Sequence, residues 1–274
     1  MRRFLRRRRE LYAYARAWAF AQRHQLAYRP RGVAALPPQA RLSVCLLAGQ
    51  SNMAGHAPLQ AADARSHPRV WMLTEAGRWA YAREPLHRRR FQLAGTGPGL
   101  AFGKALAEAW PAQAIGLVPC AMGGSAVQHW LSDAPYRGVH LYARLLTQAR
   151  RAAETGTLVG MLWHQGESNA TSHHFPDYAV QLQALFGRLR RDLAQPALPI
   201  FVGEIGAWLP DDHFPHAAAV NATLHTLAAT DPALHLVPAA DLSHLGDRVH
   251  FSRAAALELG ARYAVAVQAV CSPL

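Results

Sequence analysis

The sequence predicts an α/β domain built as a three-layer α/β/α sandwich around a mostly parallel, five-stranded sheet. Two observations predict this fold class. Short apolar runs without clean alternation of polar and apolar residues recur along the chain, which is typical of strands buried on both faces. Longer segments with helical spacing of apolar residues lie between these runs. Such alternation of strands and helices favours a parallel sheet joined by right-handed crossovers.

The pattern places each element along the chain. Strands are predicted at 42–48, 114–120, 158–164, 199–205 and 234–238. Helices are predicted at 100–110, 139–155, 175–193 and 216–229, with a last helix that Ser252 caps and that ends near residue 270. A hairpin of 70–73 and 79–82 is expected as an insertion after the first strand. Since ligands bind at the carboxyl ends of strands in such sheets, the residues after each strand are candidate site residues.

Length and charge exclude several classes of protein. The chain has 274 residues, of which 51% are hydrophobic and 17% charged, which excludes a disordered tail, a coiled coil and a disulfide-held miniprotein. Its net charge of +12 suggests a polyanionic partner at first. However, residues 1–41 hold eleven Arg against the single Glu10, whereas 42–274 hold 18 Lys and Arg against 16 Asp and Glu. The predicted domain is therefore nearly neutral, and no nucleic-acid partner is expected.

Residues 1–40 are predicted to be an Arg-rich extension and a Pro-containing linker, separate from the domain at 41–274. The apolar run at 11–21 contains Arg16 and is shorter than the roughly 20 residues of a membrane-spanning helix. Three interpretations stay open, namely a helix packed on the domain or on another subunit, a helix on a membrane surface, and a signal peptide. The protein is expected to be cytoplasmic, or secreted or periplasmic if 1–21 act as a signal peptide.

Neither a disulfide framework nor a metal site is predicted, and no cofactor is expected. The cysteines at 45, 120 and 271 are far apart and lack zinc-ligand spacing. Cys45 and Cys120 are expected to be small buried side chains in strands. The histidines at 173–174 and the Asp and His residues at 211–216 could suggest a metal, but solvated loops are the favoured interpretation.

Polar turns follow the first two predicted strands. After the first, Ser51 stands in a tight turn within Gly-Gln-Ser-Asn-Met, where its hydroxyl is either a nucleophile or a helix N-cap. Met53 occupies the place of the second Gly of an α/β-hydrolase nucleophile elbow, so the motif is a different one. After the second, Gly123 and Gly124 could expose backbone N–H groups as an oxyanion hole does, although paired glycines are also common in plain turns.

Two further polar segments lie near strand ends. After the third strand, Gln165 could donate to an oxyanion and Glu167 could hold the loop, or the segment could simply cap the next helix. Near the C-terminus Asp247 precedes His250 by three residues, a spacing that lets a carboxylate orient an imidazole base. Asp241 and His244 share this spacing, but the position of His250 directly before the last helix favours the later pair.

The four blocks at 49–53, 123–125, 164–168 and 247–250, in this order, resemble the sialate O-acetylesterase and acetylxylan esterase family of SGNH hydrolases, of the carbohydrate esterase family 6 type. The resemblance covers the predicted domain and implies a flavodoxin-like SGNH fold without a metal. It implies Ser51 as nucleophile, His250 as base and Asp247 as its orienting carboxylate. It further implies an oxyanion hole and a supporting loop. The implied oxyanion donors are Ser51, Gly124 and Gln165, and the supporting residues are Gln50, Asn52, Gly123 and Glu167.

The expected function is the hydrolysis of acetyl esters on sugar hydroxyls, with an acetylated carbohydrate as substrate. Trp130 and Trp163 could form a platform for a sugar ring or could pack in the core. Asn169 departs from the family pattern, which often has Asp there. The alternatives are an SGNH esterase or lipase for non-carbohydrate acyl esters, an inactive carbohydrate-binding or scaffold protein, and an anchored protein whose extension binds anionic lipid or nucleic acid.

Overall fold

A computed structural model of the chain describes residues 42–87 and 95–274, which form a seven-stranded sheet between two layers of helices. The strands are β1 (Leu42–Gly49), β2 (Val70–Leu73), β3 (Trp79–Tyr81), β4 (Ala114–Pro119), β5 (Thr157–His164), β6 (Ile200–Gly203) and β7 (Leu234–Val237). The α-helices are α1 (Ser51–Ala54), α2 (Pro98–Ala109), α3 (Val127–Leu131), α4 (Leu141–Ala153), α5 (Tyr178–Asp192), α6 (Ala217–Thr230) and α7 (Arg253–Val270). The predicted extension and linker at 1–40 lie outside the described residues.

The sheet confirms the predicted fold class but corrects the predicted strand number. Its order is β3-β2-β4-β1-β5-β6-β7, and every neighbouring pair is parallel except β2 and β3. The prediction of five strands was wrong because β2 pairs with β4, so the hairpin continues the sheet instead of lying outside it. All four residues of β2 are buried, and their pairing covers the backbone groups that β4 would otherwise expose at an edge.

The central strand β1 has apolar side chains on both of its faces. Leu42, Val44, Leu46 and Ala48 join one core cluster, and Cys45 and Leu47 join the other. Helices α3 to α6 pack on the first cluster, whereas α1, α2 and α7 pack on the second. This two-sided burial explains why β1 is apolar apart from Ser43, since a strand with helices on both faces has no side exposed to water. Cys45 and Cys120 are buried, as predicted, but Cys120 directly follows the end of β4 and does not lie within a strand.

The ends of β1 and β5 bring two of the sequence motifs together. Gly49, the last residue of β1, pairs in register with His164, the last residue of β5. Gly49 has a φ of +120°, and a Cβ atom there would stand 2.1 Å from the carbonyl oxygen of His164. Only glycine fits this contact without moving the backbone. The turns that follow these strands are therefore held side by side.

None of the described helices combines the length and the apolar character that crossing a membrane requires.

Candidate active site

The structure brings Ser51, His250 and Asp247 together at the carboxyl ends of the strands. Ser51 Oγ lies 3.0 Å from His250 Nε2, and His250 Nδ1 lies 2.7 Å from Asp247 Oδ2. A carboxylate only accepts hydrogen bonds, so Nδ1 carries a hydrogen, and Nε2 is left as the nitrogen that can accept from the Ser51 hydroxyl. This geometry allows His250 to withdraw the hydroxyl proton of Ser51.

The Asp247 carboxylate is held by its own loop. Its Oδ1 accepts hydrogen bonds from the backbone N–H groups of Val249 and His250, each at 2.9 Å. Burial alone would raise the pKa of Asp247, but the hydrogen bonds from the His250 side chain and from these two N–H groups lower it to about 2. Asp247 is therefore ionised at neutral pH and fixes the tautomer of His250.

The alternative pair, Asp241 and His244, has other contacts. Both oxygens of the Asp241 carboxylate accept from the Arg262 guanidinium, at 2.6 and 2.9 Å. His244 Nδ1 instead accepts from the backbone N–H of Gly246 at 3.0 Å. Asp247 and His250, and not Asp241 and His244, are therefore the pair that lies beside Ser51.

His56 is a site residue that sequence reasoning missed. Its ring stacks on that of His250 with the ring centroids 3.7 Å apart and the planes inclined by 16°. Burial, together with the neighbouring His250, lowers the pKa of His56 to about 4. His56 is therefore neutral near pH 7 and presents an uncharged face to the base. It stands in a loop without a recognisable motif, so only the fold could reveal the contact.

One group of side chains has the composition of a metal site. His56, Asp247 and His250 each offer a ligand atom, and these atoms lie within 4.8 Å of one another. The two imidazole rings are nearly parallel, so their nitrogen lone pairs do not converge on one point. Asp247 is moreover already bonded to His250. Within the described ranges, the residues at 173–174 and 211–216 do not assemble into such a group.

The backbone N–H groups of Ser51 and Gly124, in the turns after β1 and β4, are candidate oxyanion donors. Neither the N–H of Ser51 nor that of Gly124 donates a hydrogen bond within the described residues. Gly124 is exposed and has a φ of +72°, a left-handed conformation that favours glycine. The hydroxyl of Tyr136 donates to the carbonyl oxygen of Gly124 at 2.8 Å and anchors this turn, in which Gly123 is half-buried. Tyr136 is a second residue that the sequence motifs did not indicate.

The structure gives Gln165 a different position from the one predicted. Its side chain is fully buried. Its amide nitrogen donates to Asn169 Oδ1 at 2.7 Å, Gln50 Oε1 at 3.2 Å and the carbonyl oxygen of Ser125 at 3.3 Å. A donor that is buried and already hydrogen-bonded in this way cannot reach a substrate oxygen. The prediction that Gln165 belongs to the oxyanion hole was therefore wrong. Gln165 ties together the turns that follow β1, β4 and β5.

Gln50 and Asn169 make further hydrogen bonds among these turns. Gln50 Oε1 also accepts from the backbone N–H groups of Gly166 and Ser168, at 3.5 and 3.2 Å. Asn169 Oδ1 accepts from Val127 at 3.0 Å, and Asn169 Nδ2 donates to the carbonyl oxygen of His174 at 2.9 Å. An Asp at 169 could not make the last of these bonds. The departure from the family pattern thus supplies a donor that the loop uses.

The tryptophans do not form a sugar platform. Trp130 and Trp163 are both fully buried, and their rings contact each other edge to face with the centroids 5.3 Å apart. Trp163 also contacts the ring of Phe186. A ring enclosed by the core cannot stack on a substrate, so the platform interpretation was wrong and the core interpretation holds.

His164, at the end of β5, makes stability depend on pH. Its side chain is fully buried, and burial lowers its pKa from 6.5 to about 3. Below about pH 6.5 the unfolded chain takes up a proton that folded His164 does not, so each lower pH unit removes up to about 1.4 kcal/mol of unfolding free energy. We expect urea unfolding to show a smaller loss between about pH 7 and about pH 5 in His164→Gln than in the wild type. Equal losses in both proteins would contradict this prediction, and the exposed His213→Gln serves as the control.

Comparisons with known proteins identify relatives of this chain. A protein-family model described as carbohydrate esterase, sialic acid-specific acetylesterase matches residues 41–269. A probable carbohydrate esterase of Arabidopsis thaliana is 33% identical over 193 residues, which cover 63% of this chain and 71% of the relative. The X-ray structure of that Arabidopsis protein is 28% identical, with a TM-score of 0.73, and the match covers 85% of this chain and 99% of that chain.

A second solved structure is more distant. The crystal structure of a carbohydrate acetylesterase from Xanthomonas citri is 22% identical, with a TM-score of 0.60. The match covers 83% of this chain and 56% of that chain. At this level of identity the likeness shows a shared fold.

Proposed function

Because the chain belongs to the carbohydrate esterase family of sialic acid-specific acetylesterases, we propose that it hydrolyses acetyl esters on sugar hydroxyls with Ser51 as its nucleophile. The observation that carries the proposal is the hydrogen-bonded series from Ser51 Oγ through His250 to Asp247, with distances of 3.0 and 2.7 Å. Such a series is the arrangement that activates a serine hydroxyl in acyl transfer.

The first half of the reaction forms an acyl-enzyme. Ser51 Oγ attacks the acetyl carbonyl carbon while His250 Nε2 takes the hydroxyl proton. The carbonyl oxygen becomes an oxyanion that accepts from the N–H groups of Ser51 and Gly124, and each such donor lowers the barrier by about 2.7–4 kcal/mol in measured cases. When the intermediate collapses, the sugar oxygen leaves with the proton of His250 Nε2, and the acetyl group stays on Ser51.

The second half releases acetate. His250 takes a proton from a water molecule, whose oxygen attacks the acetyl carbon and forms a second oxyanion at the same donors. Collapse of this intermediate returns the proton to Ser51 Oγ and frees acetate. Asp247 stays ionised throughout and stabilises the imidazolium of His250 that forms in each half. The neutral ring of His56, stacked on His250, adds no competing positive charge near pH 7.

A substrate panel tests the proposed function. We expect the purified protein to release acetate from an acetylated sugar, with acetylated sialic acid and acetylated xylan as the two sugar classes to compare. We also expect aryl acetate to be cleaved faster than aryl esters of long acyl chains. A preference for long acyl chains would favour the lipase alternative, and a lack of hydrolysis of any ester would favour an inactive binding protein.

A further inference from the structure

Asn52, the residue after Ser51, joins the nucleophile to the loop that carries His250. Its side chain is buried. Asn52 Nδ2 donates to the carbonyl oxygen of Val249 at 3.1 Å, and Asn52 Oδ1 accepts from the N–H of Phe251 at 3.0 Å. Val249 and Phe251 are the two neighbours of His250 in the chain. The amide of Asn52 therefore holds the backbone on both sides of the base, as a neighbouring strand would.

Glu167 fixes the orientation of this amide. Asn52 Nδ2 also donates to Glu167 Oε1, and the Glu167 side chain is buried. A rotated amide would turn Asn52 Oδ1 toward the Val249 carbonyl oxygen and Glu167 Oε1, which both accept from Nδ2 in this structure, and would turn Nδ2 toward the N–H of Phe251. Each of the three hydrogen bonds would then be lost, which is costly in a buried place. The amide thus has a single favourable orientation.

From these contacts we infer that Asn52 and Glu167 are positioning residues that set the distance between Ser51 Oγ and His250 Nε2. The inference rests on the proposed roles of Ser51 and His250. Asn52 is one peptide bond away from the nucleophile and bonds the backbone beside the base, so the two reacting groups cannot separate without breaking its hydrogen bonds. Glu167 acts through Asn52. Displacements of about 1 Å between reacting groups can cost about 100-fold in rate.

Variants separate positioning from general stability. We expect Asn52→Leu to lower kcat for an aryl acetate about 100-fold with a much smaller change in KM, because the groups that bind substrate stay in place. Glu167→Leu should lower kcat in the same way. Glu167→Gln keeps an oxygen that accepts from Asn52 Nδ2, so it should restore kcat to within about threefold of the wild type.

The chain offers a matched control. Asn221 also bonds both backbone groups of one residue, since its Oδ1 accepts from the N–H of Ile205 and its Nδ2 donates to the carbonyl oxygen of Ile205, each at 2.9 Å. Neither of these two hydrogen bonds involves Ser51 or His250. Asn221→Leu should therefore lower the unfolding temperature and leave kcat within about threefold of the wild type.

The rate at which a small fluorophosphonate labels Ser51 gives a second readout that needs no sugar substrate. Labelling should slow in Asn52→Leu and Glu167→Leu and stay fast in Glu167→Gln and Asn221→Leu. If the wild type were labelled but cleaved no acetyl ester, the proposed function would fail while the positioning inference would still be tested. Wild-type kcat and labelling in folded Asn52→Leu, or equal losses in Glu167→Gln and Glu167→Leu, would overturn the inference.

Discussion

Replacing Ser51 with Ala is expected to lower kcat for acetyl ester hydrolysis by about 10⁶-fold, because the acyl-enzyme route has no other nucleophile. The hydroxyl lies 3.0 Å from His250 Nε2, and removing it leaves the base without a proton to withdraw. The change removes one half-buried oxygen, so the fold should be kept. Initial rates of acetate release and the unfolding temperature of both purified proteins check this prediction.

Ser132 provides the control for this substitution. It is exposed, and its Oγ accepts a local hydrogen bond from the N–H of Ala134 at 3.0 Å. Ser132→Ala should keep kcat within about threefold of the wild type. If Ser51→Ala were as active as Ser132→Ala, the assignment of the nucleophile would be wrong.

Replacing Asp247 with Asn is expected to lower kcat by about 10⁴-fold while the backbone of the loop is kept. An Asn oxygen can still accept from the N–H groups of Val249 and His250, as Asp247 Oδ1 does. However, its NH₂ group would then face His250 Nδ1 and favour the tautomer with the hydrogen at Nε2. This tautomer cannot accept the proton of Ser51. Steady-state kinetics from about pH 6 to about pH 9 should show the loss throughout, because the pKa of Asp247 of about 2 keeps it ionised there.

Asp241→Asn is the matched control for Asp247→Asn. Asp241 precedes His244 by the same three residues but binds the Arg262 guanidinium. Its replacement should change kcat by no more than about threefold. A large loss in Asp241→Asn together with an active Asp247→Asn would show that the wrong pair had been chosen.

The fold class could be predicted from the sequence because each buried strand is a compact apolar run and each long helix has apolar residues at helical spacing. β1, for instance, was predicted at 42–48 and is observed at Leu42–Gly49. The place of the hairpin could not be predicted in this way. Pairing of β2 with β4 joins residues distant in sequence, such as Val70 and Ile115, and single-chain periodicity carries no information on which strand a hairpin joins.

The same limit applies to the candidate site. Motif position predicted Ser51, Asp247 and His250 as candidates, because each stands at a strand end or before a helix, and the family resemblance implied their roles. It did not give His56, whose contact with His250 depends on the path of a loop. Gln165 stands in a polar motif, but its burial depends on the packing of three turns that the sequence alone does not fix. Trp163 likewise lies beside the motifs in sequence and inside the core in space.

The most direct test of the proposed reaction is the identification of the residue that a small fluorophosphonate modifies. Wild-type protein is labelled, digested and analysed by peptide mass spectrometry, and the loss of acetate release is followed in the same sample. We predict one phosphonyl group on Ser51, activity lost in proportion to the label, and no labelling of Ser51→Ala. Label on a different residue, or full acetate release from protein labelled on Ser51, would contradict the proposed reaction.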